Sequence, residues 1–366
     1  MNRRNTFAVL LAGLSSRGLL HAQSASLNMD AMKAAASLLQ TQAEKGVIES
    51  AVLHVQRGSQ VFQQAFGKAR STEAIFLLGS ITKPMTAIAV MVLADRGKLR
   101  LSDPVMKFIP EFSEGARRKI TLEQVLIHTS GLPDQLPENN ELRRRHAPLS
   151  EFVQATVRTP LLFEPGTQYH YQSMGILLAA EVVERVAKMS LPDFLSKEVF
   201  APLGMKHSAL GLGAFKMEET MRVQTEHAAP ESGAGSADAK NWDWNSPYWR
   251  KLAAPWGGAL CSAGDVALFL RSFLHPAGKV LRPETAQLMI QDHTQGLSAR
   301  RGIGFALGPA GFGKSCSDQS FGHSGSTGML AWADPKTDLS CVILTSLPGS
   351  VSRPLVLQPV SDVVSG

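Results

Sequence analysis

The apolar positions of this chain change rhythm twice. Ala51-Val-Leu-His-Val-Gln56 and Gln60-Val-Phe-Gln-Gln-Ala-Phe66 are β-prone runs around Arg57-Gly-Ser59, and they predict two strands joined as a hairpin. Before them, residues 28–46 read as a helix that stops at Gly46. After them, Met85-Thr-Ala-Ile-Ala-Val-Met-Val-Leu-Ala94 is apolar on nearly every side, the mark of a buried helix. Pro84 falls in or near its first turn, where proline is tolerated, and Gly97 closes it. From about residue 100 to 250 the pattern is helical and loop-rich, with a helix over Ile176 to Val186 and no clear strand. Strand patterning returns at Gly302-Ile-Gly-Phe-Ala-Leu307, Gly328-Met-Leu-Ala-Trp-Ala333 and Leu339-Ser-Cys-Val-Ile-Leu-Thr345, with Asp334-Pro-Lys-Thr-Asp338 as a turn.

Strands at both ends with helices between them predict an α/β fold of the α+β type. One antiparallel sheet is built from both termini, helices cover both faces, and an all-helical lobe is inserted in the middle. A chain of 366 residues exceeds one comfortable core. The expected division is an α/β lobe from residues 25–100 and 255–366 and a mostly helical lobe from 101–254. The stretch 229–240, rich in Pro, Gly, Ser and Ala, reads as a mobile loop and not as an interdomain linker.

Composition narrows the function classes. Hydrophobic residues make up 44% and charged residues 19% of the chain, as in ordinary globular proteins. Residues 1–24 read as an export signal: Asn2-Arg-Arg-Asn5 is a charged start, Phe7-Ala-Val-Leu-Leu-Ala-Gly-Leu14 a short apolar core, and Ala22-Gln-Ser24 a place to cut. The paired arginines before Phe7 loosely suit a twin-arginine signal. Export to the periplasm or medium is therefore expected, with no stable membrane anchor, because no segment is long and apolar enough to span a bilayer. The formal charge of +6 falls to about +3 without Arg3, Arg4 and Arg17, too little to argue for nucleic acid. Arg143-Arg-Arg-His146 reads as a solvated loop. Cys261, Cys316 and Cys341 are isolated and odd in number, so at least one thiol is free. No metal-ligand spacing occurs, and neither a metal nor a cofactor is expected.

The chemistry concentrates at Phe76-Leu-Leu-Gly-Ser-Ile-Thr-Lys-Pro84. A serine hydroxyl needs a base beside it. Residues at i and i+3 share a helix face, so Lys83 comes beside Ser80. Desolvation and the positive end of the helix both disfavour the lysine charge, leaving an amine able to take a proton. This is the Ser-x-x-Lys arrangement of acyl-transfer enzymes. Tyr169 and Tyr171 lie in Phe163-Glu-Pro-Gly-Thr-Gln-Tyr-His-Tyr-Gln-Ser-Met-Gly175, just before a helix, where a phenol can approach Ser80. Near a lysine ammonium such a phenol shifts toward phenolate and can act as a base. Phe321-Gly-His-Ser-Gly-Ser-Thr-Gly328 supplies a glycine-rich start to a strand. Backbone N–H groups of Ser80 and of a residue near Ser326 form a candidate oxyanion hole. His323 is a candidate polar or cationic group facing substrate.

Two other patterns are declined. Gly308-Pro-Ala-Gly-Phe-Gly-Lys-Ser315 fits the P-loop spelling, but no helix follows to receive phosphate. Gly322-His-Ser-Gly-Ser326 resembles a nucleophile elbow, but it leads into a strand. Trp242, Trp244 and Trp249 precede Gly257 and form a candidate substrate wall; the competing reading is a loop anchored by buried rings.

Taken together these blocks resemble the serine β-lactamase-related hydrolases: class C β-lactamases, low-molecular-weight penicillin-binding proteins, D-aminopeptidases and esterases with a β-lactamase fold. The resemblance runs from about residue 30 to 350. It rests on Ser80-Ile-Thr-Lys83, Gly97-Lys-Leu-Arg-Leu-Ser-Asp-Pro104, Ile120 to Pro133 with His128-Thr-Ser-Gly131, Phe163-Glu-Pro-Gly166 with Tyr171, Gly257-Gly258 before Ser262-Ala-Gly-Asp265, Gly322-His-Ser-Gly325 and Asp334-Pro335. The resemblance implies a β-lactamase/transpeptidase-like fold, Ser80 as acylated nucleophile, Lys83 as its helper, Tyr171 as general base and acid, and His323-Ser324-Gly325 as the opposite wall. The family's Tyr-x-Asn is here Tyr171-Gln-Ser173, which puts a hydroxyl where an amide would meet a substrate amide. Its Lys-Thr-Gly is here His323-Ser-Gly325. Both departures imply an esterase, with weak β-lactam hydrolysis, or a D-amino-acid peptidase before a dedicated β-lactamase. A penicillin-binding acyl trap is the alternative of a different class. The expected partners are small-molecule esters, β-lactams or D-amino-acid substrates.

Overall fold

Asn28 opens the first helix by accepting the N–H groups of Asp30 and Ala31 at 3.2 and 3.1 Å, and α1 runs over Met29–Glu44. The structure, a computed structural model, describes residues 26–366, so the export-signal reading of residues 1–24 lies outside it. The hairpin follows as β1 (Ser50–Arg57) and β2 (Gln60–Gly67), turning at Gly58 with φ +55°. Then come β3 (Phe76–Leu77), α2 (Thr82–Asp95), β4 (Ser208–Leu210), β5 (Ala259–Cys261), β6 (Ala306–Leu307), β7 (Phe321–Gly325), β8 (Met329–Asp334) and β9 (Leu339–Thr345).

The main sheet is antiparallel with the order β2-β1-β9-β8-β7-β6, so strands from both ends of the chain meet at β1 and β9. Side chains of successive strand residues alternate between its faces. Leu53, Val55, Trp332, Cys341 and Ile343 pack under α1 and the C-terminal helix Gln358–Ser365. There the Trp332 indole donates to Ser361 Oγ at 2.7 Å. Val52, Ala331, Ala333, Val342 and Leu344 face the helix Ala263–Leu274 and the large core around α2. Thr82 through Leu93 of α2 are all buried. The helices Leu149–Arg158 and Met174–Ala187 pack around that core. The mixed α/β architecture with its antiparallel sheet is therefore as the patterning predicts.

Three local expectations change. Of the expected strand over residues 302–307, only Ala306–Leu307 pairs. Gly304 has φ +82°, and a Cβ there would sit 2.8 Å from Ala87 Cβ, so residues 302–305 form a turn pressed onto α2. Residues 321–325 are themselves a strand, because Gly322 lets β7 lie close against β8: a Cβ there would meet the Ala331 carbonyl oxygen at 2.2 Å. The middle of the chain, read as free of strands, contributes Ser208–Leu210 to a small sheet of order β3-β5-β4. The 229–240 stretch contains short 3₁₀ turns at Pro230–Ser232 and Ala239–Asn241.

Candidate active site

Ser80 stands in the 3₁₀ turn Gly79–Ile81 that feeds directly into α2, and not in the α-helix itself. In a 3₁₀ turn side chains at i and i+3 nearly eclipse, which tightens the approach of Lys83. Three backbone segments converge here. Gly79 has φ +55°, and a Cβ on it would lie 2.9 Å from Thr327 Oγ1 and 3.1 Å from the Ser326 nitrogen. A Cβ on Gly325 would meet the Leu78 carbonyl oxygen at 2.1 Å. The turn after β7 therefore seats against the Ser80 turn only because both positions are glycine. Thr82 Oγ1 donates to the Gly79 carbonyl at 2.7 Å and accepts the Ala259 N–H at 3.0 Å, and Thr86 Oγ1 donates to the Pro255 carbonyl at 2.7 Å. These bonds lay the 255–259 strip along the start of α2.

That strip supplies the partner of Lys83. Its Nζ lies 2.9 Å from Ser80 Oγ and donates to the Trp256 carbonyl at 3.1 Å. Lys83 is 1% exposed. Burial, helped by the Arg301 charge and opposed by Asp134, pushes its ammonium down to about 7. The uncharged amine then gives one N–H to Trp256, whose carbonyl can only accept, and turns its lone pair to the Ser80 hydroxyl. Tyr171 and Ser80 line the same cleft, and the Tyr171 ring centroid lies 4.7 Å from Lys83 Nζ. Desolvation raises the phenol well above its ordinary value. These opposite shifts favour Lys83 as the proton acceptor and Tyr171 as the proton donor, where the sequence suggested a phenolate base.

The His128-Thr-Ser-Gly131 block is the cradle behind Tyr171. His128 is buried, has φ +65°, and its ring lies 4.8 Å from that of Tyr171. Its Nδ1 accepts the Gln172 N–H at 3.3 Å. Gln172 Oε1 accepts the Ser130 hydroxyl at 2.7 Å. Gln172 and His128 thus fix the loop that aims Tyr171. Ser173, expected to face substrate, is 2% exposed and its hydroxyl donates to Asp134 Oδ1 at 2.6 Å. It does not line the cleft, and Asp134 holds its hydroxyl.

His323, Ser324, Gly325 and Ser326 form the wall opposite Tyr171, with the His323 and Tyr171 rings 5.9 Å apart. His323 Nδ1 contacts the Ser324 carbonyl at 2.7 Å, so Nδ1 carries the hydrogen. Its Nε2 lone pair accepts from Arg301 Nη2 at 3.4 Å. Burial, then the neighbouring Arg301 and Lys83 charges, hold this imidazole well below its ordinary value. His323 is therefore a neutral wall residue, and the cation expected there is Arg301, which sequence reasoning missed. Its signal was the pair Arg300-Arg301 ahead of an apolar strand pattern. Asp134, just past Leu132-Pro133, was missed as well. Among the described residues, no backbone acceptor takes the Ser326 N–H. It lies beside Gly79, so the N–H groups of Ser80 and Ser326 can converge on an oxyanion.

The cleft holds about 460 Å³. Its lining mixes the polar cluster with Ala306, Ala310, Phe312, Met329 and Leu357, and with Arg353, whose Nη2 donates to the Gly311 carbonyl at 2.7 Å. The declined P-loop spelling lines the cleft through Ala310, Gly311 and Phe312. Of the tryptophans, only Trp244 lines the cleft. Trp242 and Trp249 are buried, with the guanidinium of Arg144 5.5 Å from the first ring and that of Arg143 4.0 Å from the second. The wall reading fails for these two because their rings fill the interior. Accordingly, Trp242→Ala should lose roughly 3–5 kcal/mol of stability in urea unfolding and keep its ester chain-length preference. Trp244→Ala should change that preference; the reverse pattern would restore the wall.

The three cysteines are buried and unpaired. Burial pushes Cys261 up to about 12 and Cys316 up to about 11, so neither is a competing nucleophile. Among the described residues, no His/Cys/Asp/Glu group is placed to hold a metal, and no helix is long and apolar enough to cross a membrane.

Comparison with known proteins gives the family and the fold. The family model described as Beta-lactamase matches residues 35–360. A Salmonella agona (strain SL483) protein, provisionally named a D-alanyl-D-alanine carboxypeptidase, is 25% identical over 365 residues, covering 87% of this chain and 83% of the relative. The structure of EstCE1, a hydrolase with promiscuous acyltransferase activity, superposes with a TM-score of 0.74 at 22% identity, over 92% of this chain and 99% of that one. The D-amino acid amidase of Ochrobactrum anthropi SV3 superposes with a TM-score of 0.70 at 21% identity, over 92% and 97% of the two chains.

Proposed function

This chain belongs to the β-lactamase family, and on that premise we propose that it is a carboxylesterase that works through an acyl-enzyme on Ser80. The observation that carries the proposal is the Lys83 amine, 2.9 Å from Ser80 Oγ and kept near neutrality by burial. In acylation Lys83 takes the Ser80 proton while Oγ attacks the ester carbonyl carbon. The developing oxyanion rests on the Ser80 and Ser326 N–H groups. As the C–O bond breaks, the Tyr171 phenol gives its proton to the departing alcohol and recovers one from the Lys83 ammonium. In deacylation a water takes the alcohol's place, the same two groups move its proton, and Ser80 regains its hydroxyl.

Esters are favoured over β-lactams because Ser173 offers no amide to a substrate amide and its hydroxyl is held by Asp134. Ala306, Ala310, Phe312, Met329 and Leu357 in the cleft lining suit a short acyl chain. β-Lactams would turn over slowly or inhibit. One observation favours a second reading, a D-amino-acid peptidase: the Arg301 guanidinium in the cleft could meet a terminal carboxylate, and the Salmonella relative carries a carboxypeptidase name. Mass spectrometry after brief exposure to nitrophenyl esters, nitrocefin and a D-Ala-D-Ala peptide decides among them. The expected result is continuous release of nitrophenol with a transient acyl adduct from the ester. One equivalent of product followed by a lasting adduct would overturn the hydrolase in favour of an acyl trap. Turnover of the peptide alone would replace the esterase by the peptidase.

A further inference from the structure

The reaction scheme leaves Arg301 without a task, yet its position is costly. It is 6% exposed, its Nε has no hydrogen-bond partner, and no acidic side chain lines the cleft. A buried charge without a partner is strongly destabilising, and arginine cannot escape by giving up its proton. Its contacts are with other site residues. Nη2 donates to His323 Nε2 at 3.4 Å, and the guanidinium lies 5.5 Å from the Tyr171 ring and 5.6 Å from that of Tyr169.

Several elements face this group. Lys83 comes from α2, His128 and Asp134 from the loops after the helix Leu122–Leu126, Tyr169 and Tyr171 from the loop before the helix Met174–Ala187, and His323 from β7. Asp134 is the one acid among them, and it draws Lys83 toward its charged form while Arg301 repels it. The Ser173 hydroxyl occupies one Asp134 oxygen.

We propose that Arg301 is a positioning residue for the Ser80 reaction: it locks His323 in its Nδ1–H tautomer and, as the unpaired cation of the cluster, sets the pH above which Ser80 is reactive. The lock follows from donor and acceptor roles, since an arginine N–H on Nε2 requires a lone pair there. The effect on Lys83 is repulsion between two cations in a dry site, where charges interact more strongly than in water. Both effects favour neutral Lys83 and His323 beside the charged Arg301; the cleft's other guanidinium, Arg353, donates to the Gly311 carbonyl and to Gln358 Oε1. The inference rests on Ser80 being the nucleophile of a serine hydrolase, but not on which acyl donor it meets.

The test is the rate at which an uncharged alkyl fluorophosphonate inactivates the full-length protein, followed by mass spectrometry across pH. In that step Ser80 Oγ bonds to phosphorus, the P–F bond breaks, fluoride leaves, and the Ser80 proton passes to Lys83. The acidic limb of the wild-type profile is expected near the Lys83 value of about 7. In Arg301→Met the limb moves up by about one pH unit, a roughly tenfold loss on the acidic side and little loss at alkaline pH. Arg301→Lys restores most of it. Histidine ¹⁵N spectra supply a second readout, in which His323 takes up charge at higher pH in Arg301→Met than in wild type. Should Arg301→Met fail to fold, Arg301→Gln removes the charge while keeping an N–H donor, and the same limb is read. A loss equal at every pH, or an unmoved limb, overturns the proposal. So does an effect confined to KM for carboxylate-bearing substrates, which would make Arg301 a binding residue. Absence of any Ser80 adduct in wild type would instead sink the serine-hydrolase reading itself.

Discussion

Ser80→Ala is expected to lower ester turnover by roughly 10⁴–10⁶-fold, the scale at which serine hydrolases lose their nucleophile, and to erase the acyl adduct from the mass spectrum. The fold should survive the change. Ser80 is only partly buried, and the convergence of backbone around it depends on Gly79, Gly325 and the Thr82 hydroxyl, not on its own side chain. Lys83 would keep its bond to the Trp256 carbonyl. Any residual rate would come from the oxyanion hole and from binding, which outlast the nucleophile. Ser324 is the one rival with a motif behind it. It sits on β7, and its carbonyl already accepts from His323. Ser324→Ala should therefore retain the adduct. An adduct that persisted in Ser80→Ala and vanished in Ser324→Ala would reverse the assignment.

What the sequence made legible was governed by local rules. The Ser80 to Lys83 spacing, the proline in the first turn of α2 and the apolar run behind it are all short-range. They place the amine beside the hydroxyl before any tertiary contact is known. The sheet was legible because β1, β8 and β9 are dense runs of β-prone residues, and the helical patterning between them supplies the layers that cover such strands. The misses are long-range. Gly302 to Phe305 has a strand's composition, but Gly304 is needed to fit against Pro84 and Ala87, more than two hundred residues earlier. Trp242 and Trp249 look like a substrate wall until the core claims their rings. Arg301 is the plainest case. The Arg300-Arg301 pair marks a local cation, but not that His323, Tyr169 and Tyr171 will gather around its guanidinium. The direction of proton transfer was hidden for the same reason. A tyrosine next to a lysine suggests phenolate, but that holds only if the lysine is charged, and burial, which sequence cannot measure, pushes the lysine down and the phenol up.

Lys83→Met should separate activity from stability. Removing the base is expected to cost roughly 10²–10⁴-fold in kcat/KM, and Lys83→Arg should not rescue it, because a guanidinium does not accept a proton at working pH. The same substitution should make the protein more stable. The Lys83 ammonium has an ordinary value of 10.5 and falls to about 7 in the folded chain. Between those limits the unfolded chain binds a proton that the folded chain refuses, so wild-type stability climbs as pH rises from about 7 toward 10.5. Below that window the cost of the buried amine is fully present. A methionine of similar length has no charge to desolvate, so Lys83→Met should be more stable by roughly 1–2 kcal/mol at neutral pH, the usual scale when a strained functional group is relieved. The difference should shrink steadily toward alkaline pH. Denaturant unfolding of both proteins at several pH values measures it. A wild type whose stability is flat across the window would mean that Lys83 stays charged in the fold, and Tyr171 would have to regain the role of base.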